Sequence, residues 1–101
     1  MHILIVQARV KAEFIDAFKQ ATAINAENSA QEPGVARFDF LQQQDDAQRF
    51  VLYEVYRDAS APAKHKETAH YKAWVEQVSQ MFEEPRTRAL YSNFFPTDEA
   101  W

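Results

Sequence analysis

Residues 63–71 read AKHKETAHY, and they hold two of the chain's three histidines together with two lysines and a tyrosine. Histidine is the side chain that exchanges a proton near neutrality, with an ordinary pKa of about 6.5, so His65 or His70 could serve as a general acid or base. A metal site is not expected. Helical zinc pairs are four residues apart, whereas His65 and His70 are five apart, about 140° around a continuous helix. There is no cysteine, and no third ligand stands out. Lys64 and Lys66 flank His65, and Pro85-Arg-Thr-Arg88 adds two cations. These either hold an anionic oxygen or phosphate or form a solvated charged surface.

Two further polar residues interrupt apolar patterns. Glu54 lies mid-strand in RFVLYEVY, on the face of Phe50 and Leu52. A carboxylate there is costly unless paired. Either an arginine such as Arg37 neutralises it, or it orients and charges a histidine. Asn25 falls about 20° from both Phe14 and Phe18 on the apolar stripe of a helix. Its amide either bonds a strand carbonyl or a water, or donates to a substrate oxygen. Tyr71 and Trp74 either line an aromatic wall of a pocket or pack in a core.

The elements that would position these groups follow from periodicity. Ile3–Val10 is β-branched and short and predicts a strand. From Lys11 to about Ser29, Phe14, Ala17, Phe18, Ala21 and Ile24 recur at helical spacing, and the proline and sole glycine of EPGV (32–35) end the helix. VARFDFLQ (35–42) and RFVLYEVY (49–56) predict a hairpin. A short helix follows, with Asp58 or Ser60 as its cap. Thr68 caps a second helical segment whose stripe is Tyr71, Trp74, Val75, Val78 and Phe82. RALYSNFF (88–95) is the fourth strand, and the tail ends on an exposed Trp101.

The order β-α-β-β-α-β predicts an α+β, ferredoxin-like antiparallel sheet with both helices on one face. Residues 1–96 form a single domain and 97–101 a tail. Ile3, Ile5, Val51, Tyr53 and Val55 would then leave the other face apolar. A homodimer with its sheets face to face would cover it.

The whole chain narrows the classes further. Its 101 residues suit one domain. Forty-seven percent are apolar and 14% aromatic, which excludes a disordered segment. A net charge of −4 argues against nucleic acid and against an anionic membrane as partners. MHILIVQARV lacks a basic leader region and breaks at Gln7, so neither a signal peptide nor a membrane span is expected, and the cytoplasm is the expected compartment.

The pieces Asn25 with Ser29 before EPG, RFD, YEVYRD, the two histidines of HKETAHY, and PRTR together resemble the antibiotic biosynthesis monooxygenase family of dimeric α+β barrels, over about residues 3–96. The resemblance implies a pocket between sheet and helices, lined by the matching Asn25, Glu54 and His65. It implies no metal, haem or flavin, and direct reaction of O2 with an electron-rich phenol or quinol. RFDFLQ, YEVYRD and HKETAHYK are also similar to a subgroup that isomerises the phosphorylated dihydroxypentanedione derived from the autoinducer-2 quorum signal. Both reactions begin when a base makes a resonance-stabilised anion.

The leading expectation is a cofactor-free monooxygenase on a small quinol-like substrate. His65 would be the base, Glu54 its carboxylate and Asn25 an oxyanion donor, while Lys66, Tyr71, Trp74 and Arg86 would bind substrate. The isomerase is the second reading, and a non-catalytic dimer that binds a small ligand is the third.

Overall fold

The computed structural model describes residues 1–101. Strand β1 (His2–Arg9) leads through a turn of 3-10 helix (Ala12–Phe14) into helix α1 (Ile15–Ser29). Strands β2 (Val35–Gln42) and β3 (Arg49–Tyr56) form the expected hairpin. Helices α2 (Ala61–Lys66) and α3 (Ala69–Val78) precede β4 (Thr87–Ser92). The sheet order β2-β3-β1-β4, with all neighbours antiparallel, is that of the ferredoxin-like split unit.

Two caps act as their residue types dictate. The Thr68 hydroxyl accepts the Tyr71 backbone N–H at 3.2 Å and starts α3. Asp58 instead ties the turn before α2 by accepting both the Ser60 N–H, at 2.8 Å, and the Ser60 hydroxyl, while Ser60 takes the N-cap position without a side-chain bond to the helix.

Register decides what faces the helices. Residues paired across strands share a face. One row therefore reads Phe38, Glu54, Leu4, Leu90, and the next reads Phe40, Leu52, Val6, Arg88. Beyond them, towards Ala8 and Phe50, the sheet carries the aromatic core. There Phe18 of α1 meets Phe40, Phe50 and Phe82 at 5.8, 5.1 and 5.7 Å between ring centres. The core fills one end of the layer between sheet and helices, and the Glu54 row floors the other.

Several expectations change. The buried stripe of α1 is Phe18, Thr22, Asn25 and Ser29, whereas Ala17 and Ile24 are exposed. Small polar residues replace the expected apolar ones because this half of the helix roofs the polar end of the layer. Strand β4 stops at Ser92, short of Phe94 and Phe95, which are exposed. The tail is held, since Asp98 and Asn93 both accept from the Met1 amine at 2.9 Å, and Trp101 is only partly exposed. On the far face Ile3 and Val55 are already buried, and Ile5, Val51 and Tyr53 are half-buried. No helix is long and apolar enough to cross a membrane.

Candidate active site

The Glu54 row floors a cavity of about 500 Å3. Asn25 of α1 and Tyr71 and Trp74 of α3 form its roof, and Lys66, Arg86 and Arg88 bring three cations to its wall. The sheet supplies Arg88 by register, one row from Glu54. Sequence reading grouped it with other cations only, because the direction of an edge-strand side chain depends on which strand it pairs with.

Glu54 is 5% exposed, and its carboxylate accepts a hydrogen bond from the Tyr56 hydroxyl two residues along the same strand face. Burial pushes the Glu54 carboxyl up to about 7, outweighing the Tyr56 hydrogen bond and the Arg86 charge, which act the other way. Burial and the adjoining carboxylate push the Tyr56 phenol up, so it remains a proton donor. The expected partner Arg37 is elsewhere. It bonds Asp39 at 2.7 Å, and both belong to the alternate positions of β2 that face away from Phe38 and Phe40.

Asn25 is 2% exposed. Its Oδ1 accepts from the Ser29 hydroxyl at 3.3 Å. Its Nδ2 has no protein partner and is not among the enclosed unpartnered atoms, so it is a donor open to the cavity it lines. Trp74 is locked by its indole N–H, which donates to Thr22 of α1 at 2.9 Å. Its ring supports Arg86, whose guanidinium carbon lies 5.2 Å from the ring centre, with Phe82 at 5.3 Å on another side.

His65 is placed differently from expectation. It is 4% exposed and does not line the cavity, although Phe38, Tyr56 and Tyr71, which do, pack on its ring at 5.7, 5.9 and 5.0 Å. Its carboxylate partner is Glu32, not Glu54. Nδ1 lies 2.7 Å from Glu32 Oε2. His70 joins it, since its Nε2 meets the same oxygen at 2.7 Å. Burial lowers the His65 pKa, and Glu32 opposes the shift only in part. The reason for the rearrangement is local. Gly34 lets the start of β2 approach α2 so closely that a Cβ there would stand 2.7 Å from the Ala61 Cβ. The EPG turn thereby carries Glu32 to the histidines.

The donor atoms of Glu32, His65 and His70 lie within 4.8 Å of one another. The five-residue spacing does not reveal this, because α2 and α3 are separate helices and the third donor comes from a distant turn. Two nitrogens and a carboxylate are ligands that zinc accepts. As arranged, the two ring nitrogens and the carboxylate satisfy each other by hydrogen bonds, and a cation would have to displace both.

Taken together, the cavity pairs a carboxyl that exchanges a proton near neutrality with an amide donor and three cations. It is suited to removing a proton from a small anionic substrate and stabilising the resulting oxyanion.

Known proteins agree in fold and divide in name. An isomerase of (4S)-4-hydroxy-5-phosphonooxypentane-2,3-dione from Klebsiella pneumoniae is 36% identical over 96 residues, 95% of this chain and 98% of its own. The protein of the same name from Salmonella typhimurium is 40% identical over 95% of this chain and all of its own. A solved structure from Nitrosomonas europaea, carrying the antibiotic biosynthesis monooxygenase name, is 47% identical and superposes with a TM-score of 0.92 over 94% of this chain and all of its own. A Mycobacterium tuberculosis structure, at 22% identity and TM-score 0.86, shares the fold. The two isomerases span nearly the whole chain, and their reaction corrects the leading expectation. It is the isomerisation of a phosphorylated dione, not the oxygenation of a quinol, so O2 no longer stands as the partner substrate. The family model for antibiotic biosynthesis monooxygenases matches residues 1–77, and this chain belongs to that family.

Proposed function

We propose that this protein isomerises a small phosphorylated hydroxydione of the kind that names its relatives. The observation that carries the reading is the buried Glu54, poised near pH 7 in a cavity whose wall carries Lys66, Arg86 and Arg88. A chain of net charge −4 has gathered three cations at one small cavity, which favours a substrate that brings its own negative charge.

The substrate's structure dictates the chemistry. In (4S)-4-hydroxy-5-phosphonooxypentane-2,3-dione the C4 proton lies beside the C3 carbonyl and is the acidic one. Its removal gives an enediolate across C3 and C4. Protonation at C3, with loss of the O4 proton and gain of one at O3, leaves a carbonyl at C4 and a hydroxyl at C3. One proton moves from carbon to carbon and one from oxygen to oxygen, and no electrons leave the substrate.

In this reading Glu54 carries the carbon-bound proton, and Tyr56 supports its carboxylate. Asn25 Nδ2 donates to the enediolate oxygens. Arg86 and Arg88 hold the phosphate, assisted by Lys66, and Tyr71 and Trp74 close the wall. His65, which backs the cavity wall rather than lining it, serves the oxygen-bound proton through a bridging water. We also infer a homodimer, because Leu90, Tyr91, Phe94 and Phe95 form an exposed apolar run along β4 and the segment after it. Purified protein given the phosphodione should produce a new C4 carbonyl resonance by carbon NMR. Unchanged substrate would overturn the reading.

A further inference from the structure

Glu32 does not line the cavity, yet its side chain is only 12% exposed. A carboxylate held so far from water needs partners, and two imidazoles supply them. The geometry determines where their protons sit. An ionised carboxylate has acceptors only, so His65 Nδ1 and His70 Nε2, each 2.7 Å from Oε2, must both carry hydrogen. Neutral His65 then has a bare lone pair on Nε2. That atom has no protein partner and is not enclosed, and the ring that carries it packs against three residues of the cavity wall.

The backbone holds Glu32 as firmly as its side chain is held. Its N–H donates to Ser29 O at 3.1 Å and its carbonyl accepts the Val35 N–H at 3.0 Å, which pins the residue between α1 and β2. The Thr68 hydroxyl donates to His65 O at 2.7 Å, fixing the end of α2 against the start of α3. The two histidines therefore come from rigid elements and converge on one oxygen.

We infer that Glu32 is a positioning residue that holds His65 in the Nδ1–H tautomer, keeping Nε2 as a bare proton acceptor behind the cavity wall, and that His70 anchors the carboxylate for that task. The inference rests on the isomerase reading for its kinetic consequence but not for the tautomer itself. Loss of an orienting carboxylate frees the imidazole to take the other tautomer, which disables a histidine base.

Nitrogen-15 spectra of the imidazoles test the tautomer without any substrate. At pH 7.5 wild-type His65 should show a protonated Nδ1 and a bare Nε2, and Glu32→Gln should lose that pattern. On the phosphodione, Glu32→Gln should lower kcat at least tenfold and leave KM within about twofold, because Glu32 touches no ligand. His70→Ala should lower kcat less and leave the His65 tautomer partly scrambled. A wild-type His65 protonated on Nε2 overturns the inference. So does a Glu32→Gln protein that keeps wild-type kcat on a turned-over substrate, whatever its spectrum. If the wild type leaves the phosphodione untouched, the isomerase reading and the kinetic consequence fall together, and the nitrogen spectrum still decides the tautomer.

Discussion

The guanidinium of Arg86 lies 5.2 Å from the centre of the Trp74 ring, and that ring is tethered through its indole N–H to Thr22 on the neighbouring helix. The stack places a cation at the cavity wall without spending its N–H groups on protein partners. Arg86→Ala should raise KM for the phosphorylated substrate about 10- to 100-fold, since a hydrogen bond to a charged group is worth about 1.5–3 kcal/mol. Arg86→Lys should recover only part of this, because an ammonium lacks the planar fork. Trp74→Leu should raise KM in the same direction. Steady-state kinetics checks all three, and an unchanged KM in Arg86→Ala would remove the arginine from the phosphate.

The pH dependence of turnover should identify the carbon-side base. With Glu54 raised to about 7, kcat should climb with pH through that value as the carboxylate forms. Glu54→Gln should lose about a hundredfold or more of kcat along with this limb. His65→Ala should retain the limb near 7 while losing rate, because burial holds the His65 pKa below its ordinary value.

Glu54 should also tax stability. Its folded pKa, about 7, lies above the ordinary 4.5, so the native state holds the proton more tightly than the unfolded chain. The associated stability is full below about 4.5 and is lost as pH rises through 7. Glu54→Gln cannot ionise, so relative to wild type it should gain about 2–3 kcal/mol between pH 5 and pH 8. Urea unfolding at the two pH values measures the difference, and parallel wild-type and variant curves would contradict the buried, raised carboxyl.

Gly34 is expected to be intolerant of even one methyl. A Cβ would stand 2.7 Å from the Ala61 Cβ, and Ala61 has no flexible side chain to swing away. Gly34→Ala should cost about 1–3 kcal/mol in denaturant unfolding. It should also lower kcat, because α2, which carries His65 and Lys66, must shift.

Light scattering at micromolar concentration should give about twice the 11.8 kDa chain mass. Phe94 is 98% exposed and Phe95 89%, a cost that association would relieve. A double change of Phe94→Asp and Phe95→Asp should shift the mass towards the monomer, and a wild-type protein that stays at the chain mass would remove the dimer.

The amino-acid sequence alone determined the elements and much of the cavity. Strands and helices were legible because hydrophobic period follows backbone geometry within each segment. Asn25 and Glu54 stood out because polar groups on apolar stripes break that period, and both line the cavity. The tertiary structure decided the partnerships. Glu54 was expected to face His65, but alternation along β3 puts Tyr56 on its own side, and the histidine turns to Glu32. Nothing in a proline–glycine turn announces a carboxylate that is largely shielded from water. The contact joins residues 33 apart to His65 and 38 apart to His70, across a packing of β2 on α2 that one missing Cβ permits. The polar stripe of α1 and the placement of Arg88 were hidden for the same reason. Periodicity shows which face of an element is unusual, whereas only the packing of one element on another shows what that face meets.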